Sequence, residues 1–178
     1  MTEQVIIAGF GGQGVMSIGQ ILTYAGMTED KQVSWLPSYG PEMRGGTANC
    51  NVIVSNKPVA SPIVTNATCG IILNKPSLYK FEKLVKEDGK LIINSSLIDV
   101  KASRNDINVY YINANEIAVE LGNSKIANMV MLGAYLELTK VVSIDSVAKA
   151  LKKVLGKTKE HLIPINMKAM ERGALCVR

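Results

Sequence analysis

The first apolar run of the chain, Val5-Ile6-Ile7-Ala8, shows no alternation with polar residues. An unbroken β-branched run of this length reads as a buried strand, predicted here over Gln4–Ala8. It gives way to glycines, and Val15, Ile18, Ile21 and Leu22 then recur at helical spacing, predicting a helix over Gln13–Ala25 with Gly26 as its stop. Further short apolar runs at Val33–Leu36, Gly70–Leu73, Lys90–Asn94 and Asn108–Ile112 read as strands. Ala48–Val54 reads as another, followed by a turn at Ser55–Pro58 and a short return strand at Val59–Ser61. Ile63–Thr68 is a connection or a short helix. The helical period returns at Ser77–Val85, where Leu78, Phe81, Leu84 and Val85 share one stripe, and at Asn115–Leu121, closed by Gly122.

The last third of the chain is helical by pattern. Ser124–Lys140 is apolar almost all round, which predicts a buried helix in which Gly133 permits close packing. Ser143–Leu155 is amphipathic, with Ile144, Val147, Ala148, Leu151, Val154 and Leu155 opposed to Lys149, Lys152 and Lys153, and Gly156 caps it. Lys157–Leu162 is a basic spacer. Asn166–Leu175 forms a terminal helix capped by Asn166 and docked by Met167, Met170 and Ala174. Strands alternating with helices predict an α/β fold: a Rossmann-like three-layer domain with a mostly parallel, mixed sheet, a β-hairpin insertion and C-terminal helices. No repeat or linker divides residues 1–178, so one domain is expected.

The glycines after the first strand, Gly9, Gly11, Gly12 and Gly14, flank Gln13 and satisfy G-x-G-x-x-G at Gly9, Gly11 and Gly14. Without side chains, the backbone N–H groups and the helix start can face an anion or phosphate. A nicotinamide dinucleotide site also needs an acidic residue at the end of the second strand. That position reads Pro37-Ser38-Tyr39, and Glu29 and Asp30 come too early. The dinucleotide fingerprint therefore lacks its second half. The turn at Gly11 is expected to have no room for a β-branched side chain.

A second loop, Pro37–Thr47, holds two prolines and three glycines, which forbid a regular element. It also carries Ser38, Tyr39, Glu42 and Arg44. Arg44 beside Gly45 and Gly46 presents a fork-shaped cation next to bare backbone, suited to a carboxylate, a phosphate or a partner's acidic side chain. A local Glu42–Arg44 pair holding the loop is the alternative. Ser95 and Ser96 lie at a strand's carboxyl end, where α/β sheets bind ligands, but a small-residue turn accounts for them.

Composition narrows the chemistry. The cysteines Cys50, Cys69 and Cys176 stand far apart, and His161 is the single histidine, so neither a structural zinc site nor a cluster held by this chain is expected. Reduced, mostly buried thiols fit a cytoplasmic protein, as does the lack of a cleavable leader before the first strand. No apolar run approaches the ~20 residues of a membrane span. Of the net charge of +5, residues from Lys140 onward carry nine basic against three acidic side chains. With aromatics at 5%, these lysines read as a solvated face or a surface for an acidic partner rather than a nucleic-acid site. No Ser/His/Asp set, P-loop or carboxylate pair stands out, and no catalytic residue is assigned.

Three blocks carry a resemblance. Gly9-Phe10-Gly11-Gly12-Gln13-Gly14-Val15, Ser38-Tyr39-Gly40-Pro41-Glu42-Met43-Arg44-Gly45-Gly46 and Asn128-Met129-Val130-Met131-Leu132-Gly133-Ala134 resemble the gamma subunit of 2-oxoacid:ferredoxin oxidoreductases over almost the whole chain. The resemblance implies a coenzyme A-acylating enzyme that oxidatively decarboxylates a 2-oxoacid on thiamine diphosphate and reduces ferredoxin through iron–sulfur clusters. It implies that alpha, beta and ferredoxin-like delta subunits hold those cofactors, that this chain binds none of them alone, and that the Tyr39–Gly46 loop faces its partners near the substrate or coenzyme A channel. The block Trp35-Leu36-Pro37-Ser38-Tyr39 looks more like the 2-oxoglutarate or 2-ketoisovalerate branches than the pyruvate branch. The beta subunit of indolepyruvate ferredoxin oxidoreductase and a stand-alone nucleotide-binding oxidoreductase are the alternatives. Separated from its partners, the chain is expected to self-associate through the apolar surface they would cover.

Overall fold

The computed structural model describes residues 1–38 and 47–178. Six strands form one mixed sheet: β1 (Thr2–Phe10), β2 (Gln32–Ser38), β3 (Thr47–Ser55), β4 (Ala67–Ile72), β5 (Val85–Asn94) and β6 (Asn108–Ile112), in the order β2-β3-β1-β4-β5-β6. β1, β4, β5 and β6 are mutually parallel, while β3 lies antiparallel between β1 and β2. β2 is an edge strand, which is why Pro37 is tolerated within it.

The helices are α1 (Val15–Thr28), α2 (Lys75–Phe81), α3 (Ala114–Glu120), α4 (Ala127–Thr139), α5 (Ile144–Leu155) and α6 (Ile163–Leu175). β1 shows why its apolar run is unbroken. Val5 and Ile7 join the large core shared with α1, α3, α4, α5 and α6, whereas Ile6 and Ala8 join the smaller core under α2. Both faces of the strand are dry, so no polar alternation is possible. No helix of the described residues is long and apolar enough to cross a membrane.

The α/β class, the mixed sheet and the C-terminal helices appear as the pattern indicates. The hairpin does not. Val59–Ser61 forms no strand, and the hairpin insertion consists of β2 and β3, joined through the 39–46 segment. The missed partner lay upstream of the loop. The apolar run Val52–Val54 within β3 is explained by burial on both faces, with Cys50, Val52 and Val54 in the larger core and Ile53 in the smaller one. Several bounds move for local reasons. α1 runs past Gly26, which lies against Val33 and Val54 of the sheet and cannot carry a side chain there. α2 ends at Phe81 in a 3-10 turn (Glu82–Leu84), and β5 begins before the Asp88-Gly89 pair. α6 begins at Ile163 with Pro164 in its first turn. Asn166 sits inside that helix, its Nδ2 donating to the Leu162 carbonyl at 2.7 Å, and does not cap it.

The buried helix α4 is buried from Asn128 through Leu136. It crosses α6 at backbone contact. A Cβ on Gly133 would lie 2.0 Å from the Met170 carbonyl oxygen, and one on Gly173 would lie 1.9 Å from that of Val130. α5 starts from a cap on Ser143, whose hydroxyl accepts from the Ser146 N–H at 3.2 Å. Its Val147, Ala150 and Leu151 are buried. Ile144 is 50% exposed, contrary to its expected place on the buried face, because it lies on the open rim of a groove between α4, α5 and α6.

Candidate functional site

The parallel strands bring their carboxyl ends to one edge of the sheet. There the glycine loop leaves β1, Leu73 leaves β4 and Ser95-Ser96 leaves β5. Thr47 pairs with Phe10, the last residue of β1, and Ser38 pairs with Asn49. Both ends of the second loop are therefore anchored at the same edge, its return point directly beside the start of the glycine loop. Ser38 is exposed there. The other candidates on that loop, Tyr39, Glu42, Arg44, Gly45 and Gly46, lie outside the described residues.

This edge contains the topological switch point. From β1 the chain crosses over by α1 on one face of the sheet, and from adjacent β4 it crosses by α2 on the other. Ligands in such sheets settle in the crevice where the crossovers diverge. Here Gln13 spans that crevice. Its Oε1 accepts from the Phe10 N–H at 2.6 Å, and its Nε2 donates to the Leu73 carbonyl at 3.2 Å. The Gln13 N–H returns to the Phe10 carbonyl at 3.2 Å, closing the turn. Gly9 makes this possible, because a Cβ there would stand 2.7 Å from Gln13 Oε1 and 2.9 Å from Leu73 Cβ.

Gly14 is the αL residue that starts α1, with φ +79°, and no side chain among the described residues caps this helix. Asn128, 8% exposed at the start of α4, packs over it, with Nδ2 3.4 Å from the Gly14 carbonyl. Gly11 and Gly12 face outward. No atom of the described residues comes within 4 Å of a Cβ built at either one, so the described residues do not close the turn at Gly11 as expected. The steric limit falls on Gly9 and Gly14. A cavity of about 290 Å³ lies on the loop's outer side, lined by Phe10, Gly11, Gly12, Gly14, Met16 and Ser17 among others. Phe10 is 41% exposed at its rim. The first N–H groups of an uncapped helix have no partner within it. Bare glycine backbone beside them is an anion-friendly surface.

Ser95 and Ser96 build a turn, as expected. Ser95 N–H donates to the Ile112 carbonyl at 2.8 Å, and the Ser96 hydroxyl accepts from the Asn115 N–H at 3.0 Å while bonding Glu116. The hydroxyl's bond to Glu116 holds that carboxyl below its ordinary range. Buried Asn94 completes the hub through Asn115, so these groups are occupied with one another. Glu29 is likewise more than a turn residue, since it stitches the end of α1 to the start of α5. Burial would raise its carboxyl, but hydrogen bonds from Lys31, from Ser143 N–H and hydroxyl, and from Ser146 pull it from 4.5 down to about 2. Burial raises the Cys50 thiol to about 12 against a weaker opposing contact from Trp35, and raises Cys69 beyond that range. Neither is a nucleophile at neutral pH.

On the far side, α5 turns Lys149, Lys152 and Lys153 outward, and Lys153 lies 4.3 Å over the Tyr24 ring. The part that motif reading missed is the contact of Asn128 with the glycine loop. The available signal was one amide in an otherwise apolar helical stretch.

Comparisons with known proteins place the chain. Over 173 residues it is 38% identical to the ketoisovalerate oxidoreductase subunit VorA of Methanothermobacter marburgensis, covering 96% of this chain and 36% of that protein. It thus spans about a third of that relative's length. It is 32% identical over 176 residues to the 2-oxoglutarate synthase subunit KorC of Methanocaldococcus jannaschii, covering 97% of this chain and 92% of that one. The crystal structure of a keto/oxoacid ferredoxin oxidoreductase gamma subunit from Geobacter sulfurreducens superposes with a TM-score of 0.83 at 30% identity, covering 98% of each chain. A 2-oxoglutarate:ferredoxin oxidoreductase from Magnetococcus marinus, solved with 2-oxoglutarate, coenzyme A and succinyl-CoA bound, shares the fold with a TM-score of 0.88 at 21% identity, over 99% of this chain and 31% of that one. Residues 4–176 match the sequence profile of the pyruvate ferredoxin/flavodoxin oxidoreductase family, and the chain belongs to that family.

Proposed function

We propose that this chain is the gamma-type subunit of a cytoplasmic 2-oxoacid:ferredoxin oxidoreductase, working over its whole length, residues 1–178, as one domain. In the assembled enzyme a 2-oxoacid and coenzyme A become acyl-CoA and carbon dioxide. The two electrons released pass to ferredoxin, and the thiol proton is freed. 2-Ketoisovalerate or 2-oxoglutarate is the substrate in preference to pyruvate, in keeping with the names borne by the relatives VorA and KorC. The partners are alpha, beta and ferredoxin-like delta subunits, with ferredoxin as acceptor.

One observation carries the reading. The pairing of Phe10 with Thr47 puts the start of the glycine loop and the return of the Tyr39–Gly46 loop at one edge of the sheet. We assign the glycine loop (Gly9, Gly11, Gly12, Gln13, Gly14) to a phosphate of coenzyme A. The second loop (Ser38, Tyr39, Glu42, Arg44, Gly45, Gly46) is assigned to the partner or substrate side. An α/β domain with an anion-friendly backbone surface and no assigned catalytic side chain suits a component that presents a cosubstrate to chemistry performed elsewhere. Cys50 and Cys69 are buried in the core, Cys176 is exposed near the C-terminus, and among the described residues no three His, Cys, Asp or Glu side chains converge. These residues do not fit an iron–sulfur cluster, and in this reading partner subunits hold the clusters and thiamine diphosphate.

Reconstitution tests this. The alpha, beta and delta subunits are assayed for coenzyme A-dependent oxidation of 2-ketoisovalerate, 2-oxoglutarate and pyruvate with ferredoxin as acceptor, with and without this chain. Activity restored by its addition is expected. Full activity without it would refute the assignment.

A further inference from the structure

We propose that Gln13 and Asn128 are positioning residues that hold the outer glycines of the loop in one geometry for an anionic ligand group. This rests on the reading of the glycine loop as a phosphate contact. The loop leaves β1 and enters α1 with Gly11 and Gly12 exposed and untouched by the described residues. Bare glycine backbone of this kind samples many conformations, and ordering it on ligand binding has an entropic cost. The residues on either side remove that cost in advance. Gln13 ties its own turn to both strands of the switch point, through Phe10 N–H and the Leu73 carbonyl. Asn128 closes over Gly14, where a Cβ would lie 2.2 Å from its Nδ2.

The geometry also explains two of the spacings. Gly9 is bare so that the Gln13 amide can lie across it, and Gly14 is bare so that Asn128 can lie against it. Two blocks distant in sequence, Gly9–Val15 and Asn128–Ala134, thereby act as one mechanical unit. The same amide fills the gap between the ends of β1 and β4. A ligand is thereby directed to the loop's outer side, where Gly11, Gly12, Met16 and Ser17 line the cavity.

The test uses the reconstituted complex with coenzyme A as the probe, comparing Gln13→Met, Asn128→Ala and Gly11→Asp. Gln13→Met keeps length and removes both hydrogen bonds, so the KM for coenzyme A should rise about tenfold, while the KM for the 2-oxoacid stays in place. kcat at saturating coenzyme A should fall far less than kcat/KM. Asn128→Ala should act in the same direction. Independently of activity, amide exchange at Gly11–Gly14 of the isolated chain should quicken in Gln13→Met while β4 and β5 keep their protection. Equal rises in both KM values, or unchanged exchange in the loop, would overturn the proposal. If Gly11→Asp raises the KM for coenzyme A and Gln13→Met does not, the positioning role fails and the phosphate reading stands. If neither variant moves it, the phosphate reading fails and the proposal falls with it.

Discussion

At the α4–α6 crossing, glycine removes a side chain so that two backbones can touch. In the loop after β1, Gly11 and Gly12 leave backbone bare with nothing of the described chain in front of it. The first arrangement is closed from both sides, since Gly133 faces the Met170 carbonyl and Gly173 faces that of Val130. Among the described residues the second is braced from behind, by Gln13 and Asn128. One residue type thus serves packing in one region and availability in the other, and what lies within reach of an added Cβ tells them apart.

The hardest way to break this comparison is at the crossing. Gly133→Val or Gly173→Val would press a branched side chain against a helix backbone that cannot yield, and overpacking of this kind should cost at least about 3 kcal/mol. Urea unfolding would show it as a fall in midpoint with little change in slope. A variant that keeps its midpoint would mean that α6 does not dock at backbone contact.

Gly14→Ala comes next. A φ of +79° disfavours any side chain, and the left-handed conformation alone costs about 1–2 kcal/mol. The Asn128 amide adds a collision. Combining Gly14→Ala with Asn128→Ala should recover the steric part and leave the conformational part, which a double-mutant cycle measures. Full additivity of the two changes would show that Asn128 does not press on Gly14.

The α1–α5 stitch predicts a pH effect of middling size. Glu29 has a folded pKa near 2 against 4.5 when unfolded, so it stabilises the fold fully above pH 4.5. That contribution is lost as pH falls from there toward 2. Glu29→Gln should therefore lower the melting temperature at pH 6 and matter progressively less toward pH 2.5. An equal deficit at both pH values would sink the assignment.

Gly11→Val should have the smallest effect, within about 0.5 kcal/mol on the isolated chain, because no described residue stands against a side chain at this exposed position. A larger loss would mean that the Tyr39–Gly46 segment packs against Gly11, which would sharpen the contrast between the two regions rather than erase it.

Much of this architecture was legible from pattern alone. β1, the buried α4, amphipathic α5 and the Gly156 stop follow from local periodicity, and the role of Gly133 followed from a glycine in an unbroken apolar helix. The hairpin was misplaced because strand pairing is not local. Val59–Ser61 has the right residue types, but β3 already had partners on both edges in β1 and β2. Among the described residues the crowding falls on Gly9 and Gly14 rather than Gly11 for a related reason: it depends on residues far away in sequence, here Leu73 at Gly9 and Asn128 at Gly14. Gln13 was legible as part of a loop but not as a bridge, since Leu73 is sixty positions away.

By itself the sequence determined where backbone is bare, where it is buried and which segments repeat at 2 or 3.6 residues. Those properties reside in each residue's own side chain and its near neighbours. Only the tertiary structure decided that the two unusual loops are anchored at one sheet edge, that an amide spans the switch point, and that the loop glycines closed by their surroundings are Gly9 and Gly14. Each depends on which strands and helices come to lie side by side, and hydrophobic burial sets that without directional information in any single stretch of chain.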